Sequence, residues 1–540
     1  MVSDPGKESV TMASVFRFGL VGLLCLVGCP STSHCDQQPN AARCLQETSL
    51  ALSVDNVIVR VEPDTSVDVE LSLERTGEWT NRGPVGVEAI ELPAGIHMET
   101  VSVPSSEPRA VATLQVDSNA AKGVFPLMVI AQPVETDVAA AEQALEVVVP
   151  GAPGEHDLTF NFDGQLSYTR PGEYYVPLFG AVDVAGRLWL LSYETESEQS
   201  KLMRLLPDGT FDEAFESKSQ ALWDDLGFEA PYDMQRLSDD RMVISAGFKD
   251  NADVAYNALL MLNHEAEPDS TFGDGRQARV DVLEHEPFGI LLRRDDMHLK
   301  QRGTWASYSY SGELNTDFLE NGSGYASHYY SKAVVRDDDS VLALTYTKSP
   351  DARIISETGF TMLPGSYDDL KTILADLHDR DIYDYKVRAC IAEPDQAVVC
   401  CGYYRTKTTD GSSPPWHAYV FRLDAEANLD LTFGVDGFIR RTSSNGQINS
   451  APSIAAYSDG RVLVGYEHQP DAQSVEYSVA CYESDGQPCP DFGAGGDVII
   501  VGMPGQMFVD KYARLWIWGT ATSPTLPDDQ TVIGITRLWL

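Results

Sequence analysis

The sequence predicts an all-β protein: a β-sandwich over residues 49–152, then a seven-bladed β-propeller over residues 155–540. Three observations predict it. A short strand motif recurs seven times in the C-terminal part, a second strand-and-turn motif follows most copies, and the segment before them alternates apolar and polar residues with period two.

The first repeated element is a strand entered by an acidic or glycine turn. Its copies are GRLWLLSY (186–193), DRMVISAGF (240–248), DDMHLKQRG (295–303), DSVLALTYT (339–347), DQAVVCCGYY (395–404), DGRVLVGYE (459–467) and YARLWIWGT (512–520), starting 44 to 64 residues apart. The second element is clearest in KLMRLLPDGTFDEAFES (201–217), ALLMLNHEAEPDSTFGDG (258–275), AYVFRLDAEANLDLTFGVDG (418–437) and SVACYESDGQPCPDFGAGG (478–496). Worn copies occupy 306–318 and 352–360. Units of this length hold the four strands of a blade, which becomes stable only by stacking on its neighbours.

These motifs resemble the delta-60 type repeat of bacterial β-propellers, over about 385 residues. The residues that carry the resemblance are Asp208, Gly209, Asp212 and Phe215; Asp269, Phe272 and Gly273; Asp430, Phe433 and Gly434; and, with a shifted gap, Asp491, Phe492 and Gly493. A structural role explains them: Asp-Gly sets a tight turn, the second Asp fixes the loop through backbone amides, and Phe plugs the gap between blades. Calcium is the rival ligand for these carboxylates, but no contiguous calcium-loop pattern is present, and no other cofactor is expected. The final strand, VIGITRLWL (532–540), lacks the signature that should follow it, whereas HDLTFNFDG (156–164) is a signature without its strand. The two are expected to pair and close the ring.

Residues 49–152 carry β-branched strands broken by Pro-Asp, Thr-Gly and Lys-Gly turns, and the stretch from ELPAGI (91–96) to AVATLQVDSNAAKGVFPLMVIA (110–131) resembles bacterial Ig-like surface modules. The resemblance implies an Ig-like sandwich acting as a spacer, with Gly151-Ala152-Pro153-Gly154 as the hinge to the propeller.

An uncharged run from Phe18 to Gly28 is too short to span a bilayer and fits the apolar region of a signal peptide over residues 1–28. Leu26-Val27-Gly28-Cys29 resembles the lipobox of bacterial lipoproteins, which implies acylation of Cys29, a tether over 29–48 and anchoring in the cell envelope, on an outer-membrane side left open. The start, Met1 or Met12, is left open too. Export permits disulfides, for which Cys35, Cys44, Cys390, Cys400, Cys481 and Cys489 are candidates. No CxxC or HxxxH spacing points to zinc or another metal.

The formal net charge of −42 opposes nucleic-acid binding and is expected to solubilise the surface. Residues 366–379 have helical spacing and are expected to cap the propeller. No hydrolase, P-loop or EF-hand motif marks a catalytic residue, so the sequence points to a non-catalytic, monomeric binding scaffold for an unidentified protein or glycan. A rim patch of Trp305, Tyr308, Tyr310, Tyr329 and Tyr330 is its expected contact surface. The alternative is an extracytoplasmic hydrolase or lyase, which requires polar groups converging on the central channel.

Overall fold

The computed structural model describes residues 49–540 apart from several segments, the longest being 282–288, 363–381, 407–415 and 523–530. Cys29, Cys35, Cys44 and the helix expected over 366–379 lie outside the described residues. What is described is nearly all strand, and among it no helix is long and apolar enough to cross a membrane.

The alternating N-terminal segment folds into two sheets. Ser49–Val54, Thr65–Thr76, Arg109–Val116 and Ile96–Met98 form one; Ile58–Arg60, Ala141–Val149, Gly123–Pro133, Val85–Ile90 and Val101–Val103 form the other. Val69, Leu71 and Leu114 from the first meet Val87, Val129 and Val147 from the second in one buried cluster, as period-two side chains on facing sheets must.

Seven further sheets follow, numbered I to VII, with neighbouring strands antiparallel. Sheet I holds Tyr175–Val182, Leu188–Glu194 and Gln199–Leu205, and sheet II Phe228–Arg236, Met242–Lys249, Ala255–Leu262 and Gln277–Arg279. Sheet III holds Gly289–Leu292, Asp296–Gln301, Thr304–Ser309 and Ser323–Tyr325, and sheet IV Tyr330–Val335, Val341–Thr345, Ala352–Ser356 and Gly359–Met362. Sheet V holds Ile382–Ala392, Val398–Thr406, Trp416–Leu423 and Phe438–Arg441, and sheet VI Ile448–Ala456, Val462–His468, Glu476–Tyr482 and Asp497–Ile500. Sheet VII combines Gln506–Val509, Arg514–Thr522 and Thr531–Trp539 with Gln165–Tyr168 from the beginning of the repeat region. Gln165 lies opposite Thr536, and Tyr168 opposite Ile533. The first strand of each sheet touches that of the next, and the first strand of VII touches that of I.

Sheet I has three strands because its signature continues as a helix, Glu213–Leu226, where the sequence reading expected a turn and a fourth strand. Asp212 caps its N-terminus by accepting from Phe215 N, and Gly227 ends it in the left-handed conformation. Phe215, Trp223 and Leu226 turn its apolar side into the cluster between I and II.

The phenylalanines of the repeat are buried between consecutive sheets: Phe160 between VII and I, Phe272 between II and III, Phe318 between III and IV, Phe433 between V and VI, Phe492 between VI and VII. The glycine after three of these plugs donates to a neighbouring segment: a turn of the next sheet in two, the 151–154 linker in the third. Gly273 N donates to Ser311 O at 2.7 Å, Gly434 N to Asp485 O at 2.7 Å and Gly493 N to Pro153 O at 3.0 Å. All three are left-handed, with φ of 59°, 61° and 53°. A Cβ on Gly273 would stand 2.1 Å from Gln277 O, so glycine is required there for both its torsion and its size.

The signature Asp braces its loop to the strand before it. Arg204 pairs with Asp212 at 2.6 Å and Arg422 with Asp430 at 3.5 Å, while Asp269 accepts from Arg241 at 2.6 Å. In sheet VI the same position is Cys489, disulfide-bonded to Cys481 at the same separation of 8. Asp491, the residue aligned with the signature in the sequence, is exposed and lies two residues after Cys489. In sheet VII the brace spans the repeat: Arg537 on Thr531–Trp539 meets Asp157 at 2.7 Å, both fully buried, and also donates to Thr159 Oγ1 and to Pro207 O, each at 2.7 Å. A second disulfide links Cys390 and Cys400, opposite each other on the first two strands of V. Two disulfides mark an extracytoplasmic protein.

The linker after the two N-terminal sheets is stitched down. Gly154 N donates to Trp539 O at 2.8 Å, and a Cβ on Gly151 would lie 2.5 Å from the Trp539 ring. Beside it Glu146 accepts from Lys511 Nζ at 2.9 Å and Tyr512 Oη at 2.8 Å, while Arg60 donates to Leu540 O at 2.6 Å. Trp539, Tyr512 and Val148 are buried together under these contacts. The expected hinge is therefore a bonded seat against VI and VII.

Two outcomes follow. Gly273→Ala is expected to lower stability by more than about 2 kcal/mol, whereas Gly495→Ala, left-handed at φ 72° but with open space, costs about 1 kcal/mol, as read from denaturant midpoints. Asp157→Ala strands a buried guanidinium and is expected to cost about 3–5 kcal/mol in the same assay.

Candidate functional site: an axial belt across the seven sheets

Each first strand ends in a hairpin turn whose opening residue donates its N–H to the second strand: Asp183, Leu237, Arg293, Arg336, Glu393, Tyr457 and Asp510 in I to VII. Four residues earlier on each strand lie Phe179, Asp233, Gly289, Lys332, Ala389, Ser453 and Gln506. Because side chains alternate along a strand, a fixed distance from a common turn places these positions at one level on strands that touch in a ring.

At this level side chains tie each sheet to the next. Asp233 of II accepts from Ile290 N of III at 2.7 Å. Ser453 of VI donates to Pro504 O, at the entry to VII, and Gln506 of VII accepts from Gly180 N of I at 2.9 Å. Between I and II the contact is apolar, with Phe179 packed on the cluster shared by the two sheets. Where the first-strand residue is small, its cross-strand partner stands in. Ala389 is opposite Cys401, whose buried thiol donates to Ala451 O of VI at 3.3 Å. Gly289 is opposite Lys300.

The belt breaks at III and IV, where it presents Lys300 and Lys332. Lys300 is 8% exposed, and neither ammonium has a hydrogen-bond or ion-pair partner among the described residues. Burial pushes the Lys300 ammonium down to about 7, and the charge of Lys332 pushes it the same way. Burial lowers Lys332 as well, against the attraction of Asp233. The Asp233 carboxyl is pushed up to about 6 by burial, opposed by the amides of Ile290 and Met234 that it accepts from. Burial also raises the Cys401 thiol to about 12, which holds it as a neutral donor. The exposed Arg388, stacked 5.0 Å over Tyr403, adds positive charge next to Lys332.

At the turn end of the axis lies a cavity of about 520 Å³ lined by Asp337, Pro394, Tyr457, Asp510 and Lys511. Asp510 is already committed, accepting from Arg514 Nε at 2.8 Å and Trp516 Nε1 at 2.9 Å.

The sequence reading missed the belt. Aligning the chain on its hairpin turns and stepping back four residues would have found it, but nothing in the strand motifs marks that level. The expected aromatic patch is corrected: Trp305 and Tyr308 are 0% and 3% exposed, because the strand that carries them is central to III and faces neighbouring sheets. Tyr310 is half-buried, and the side chains of Tyr329 and Tyr330 lie outside those described.

No family model matches this chain, and no curated protein matches it. Among solved structures it is similar to a protein of unknown function from Dyadobacter fermentans, 12% identical, covering 70% of this chain and all of that one, with a TM-score of 0.33. A GH62 α-L-arabinofuranosidase catalytic domain from Coprinopsis cinerea is 8% identical over 58% of this chain and 91% of its own, with a TM-score of 0.26. A GH43 β-xylosidase/α-arabinofuranosidase from a compost metagenome is 12% identical over 63% and 98%, with a TM-score of 0.24. At these scores none bears on the chemistry of the belt.

Since the folded pKa of Lys300 is depressed from 10.5, the unfolded chain holds the extra proton between about pH 7 and 10.5, and stability is expected to rise with pH through that window. Lys300→Met is expected to flatten that rise and to stabilise the protein near pH 6 by about 1–4 kcal/mol, measured by chemical denaturation across pH.

Proposed function

We propose that this chain is an exported, lipid-anchored envelope protein. In this reading residues 155–540 form a seven-bladed β-propeller that binds a ligand through its axial belt without transforming it. The observation that carries the reading is the cyclic contact of seven first strands, with sheet VII completed by Gln165–Tyr168. A ring closed in this way leaves no unpaired edge between its first and last sheets. The two-sheet N-terminal unit is read as an Ig-like spacer that holds the propeller at a fixed attitude through Glu146, Arg60 and Trp539. Cys29 is read as the acylated residue, and its tether as the link to the membrane.

Binding is favoured over hydrolysis by the state of the only belt carboxylate among the described residues. Both oxygens of Asp233 are taken by backbone amides, whereas paired-carboxylate hydrolysis needs two free groups flanking the scissile bond. The ammoniums are left free, and free donors are what a binding site offers.

Two measurements test this reading. Ser167→Cys with Gly534→Cys, partners across the closure, in an Ala521→Gly background that clears the 2.9 Å approach of a Cβ at 534, is expected to crosslink spontaneously and to raise resistance to unfolding; failure to link would remove the ring. Labelling with a radioactive fatty acid and recovery in the membrane fraction are expected to vanish in Cys29→Ser, and labelling that persists would remove the anchor.

A further inference from the structure

We propose that a small anion with carboxylate or phosphate oxygens binds between Lys300 of sheet III and Lys332 of sheet IV and closes the one charged gap in the axial belt. The inference deepens the binding reading and rests on it only in taking the first strands as a ring.

Geometry carries it. At II–III, V–VI, VI–VII and VII–I, a side chain at or beside the belt position hydrogen-bonds the neighbouring sheet. Gly289 leaves the corresponding place in III empty, and Lys300 opposite it takes the position that Cys401 takes opposite Ala389. Cys401 finds a carbonyl on the next sheet; the sheet next to Lys300 instead carries Lys332 at belt level on a first strand that touches that of III, and the charge of Lys332 opposes that of Lys300. Two ammoniums at one level of touching strands, one buried and one half-buried, are unfavourable unless an anion neutralises them. The chain does not lack carboxylates for the purpose, having 81 acidic residues against 39 basic ones. Among the described residues neither lysine is paired with one, and Asp233, the belt carboxylate, is held by the amides of Ile290 and Met234. Arg388 on the first strand of V supplies a third positive charge beside Lys332, at the exposed side of the cluster. An oxyanion with two or more oxygens bridges two ammoniums, accepts from both and restores the sheet-to-sheet link.

The binding of an anion is coupled to proton uptake, because Lys300 must be charged to hold it. The groups that set that charge are Lys332 and Arg388, which oppose it, and Asp233, which acts through Lys332. Affinity is expected to fall as pH rises through neutrality.

The test uses the full chain in calorimetric titrations at pH 6 with citrate in one arm and inorganic phosphate in the other, and the variants Lys300→Met, Lys332→Met and Lys218→Ala. Lys218 is an exposed helix residue outside the belt. One-site binding of at least one probe is expected, weakened at least tenfold by Lys300→Met and by Lys332→Met and unchanged by Lys218→Ala. The arm that binds identifies the anion class. If neither probe binds, or if both lysine variants bind as the parent does, the proposal is overturned. The crosslink between positions 167 and 534 separates the two failures: a linked protein that binds no anion leaves the ring standing and removes only the anion site.

Discussion

One buried contact organises the C-terminal part of this molecule. Asp157 and Arg537 meet with neither side chain exposed, and around them Arg514, Asp510 and Thr159 complete a cluster that no local segment could assemble. An ion pair in such surroundings is weakly favourable as a whole but strongly unfavourable when halved. It therefore acts as a test of registration: Gln165–Tyr168 has to lie on Thr531–Trp539 in one alignment for the charges to meet. Trp539, on the same strand, packs with Val148 of the N-terminal unit, so the seating of that unit depends on the strand that carries Arg537.

Much of this was legible. Seven strand copies became the second strands of seven sheets, the orphan signature at 156–164 joined the last strand, and the half-cystines flanking two turns proved to be partners. These features are local or periodic, and pattern reading is sensitive to both. What escaped depends on register between strands distant in sequence. Lys300 gains its significance from a glycine eleven residues earlier and from a lysine on another sheet, a relation that no spacing rule contains. The helix at Glu213–Leu226 was signalled by Asp212 as cap, Gly227 as terminator and Phe215, Trp223 and Leu226 on one face, but the repeat pattern competed for the same residues. The aromatic run near Trp305 was taken for surface because its strand is worn; burial of both faces in a stacked sheet explains it.

The contrast between total and local charge is physical as well as numerical. A chain with a formal charge of −42 has a field that attracts cations, yet its belt holds Lys300 and Lys332, neither with an ion-pair partner among the described residues. The outer surface and the level of Lys300 and Lys332 thus carry opposite signs, and burial at that level strengthens each electrostatic contact made there.

The replacement of an arginine–aspartate brace by Cys481–Cys489 in sheet VI carries a further consequence. An ionic brace forms wherever water and protein meet, but a covalent one waits for an oxidant. The hold on the loop of sheet VI thus depends on oxidation, where the loops held by Arg204–Asp212 and Arg422–Asp430 depend on charge.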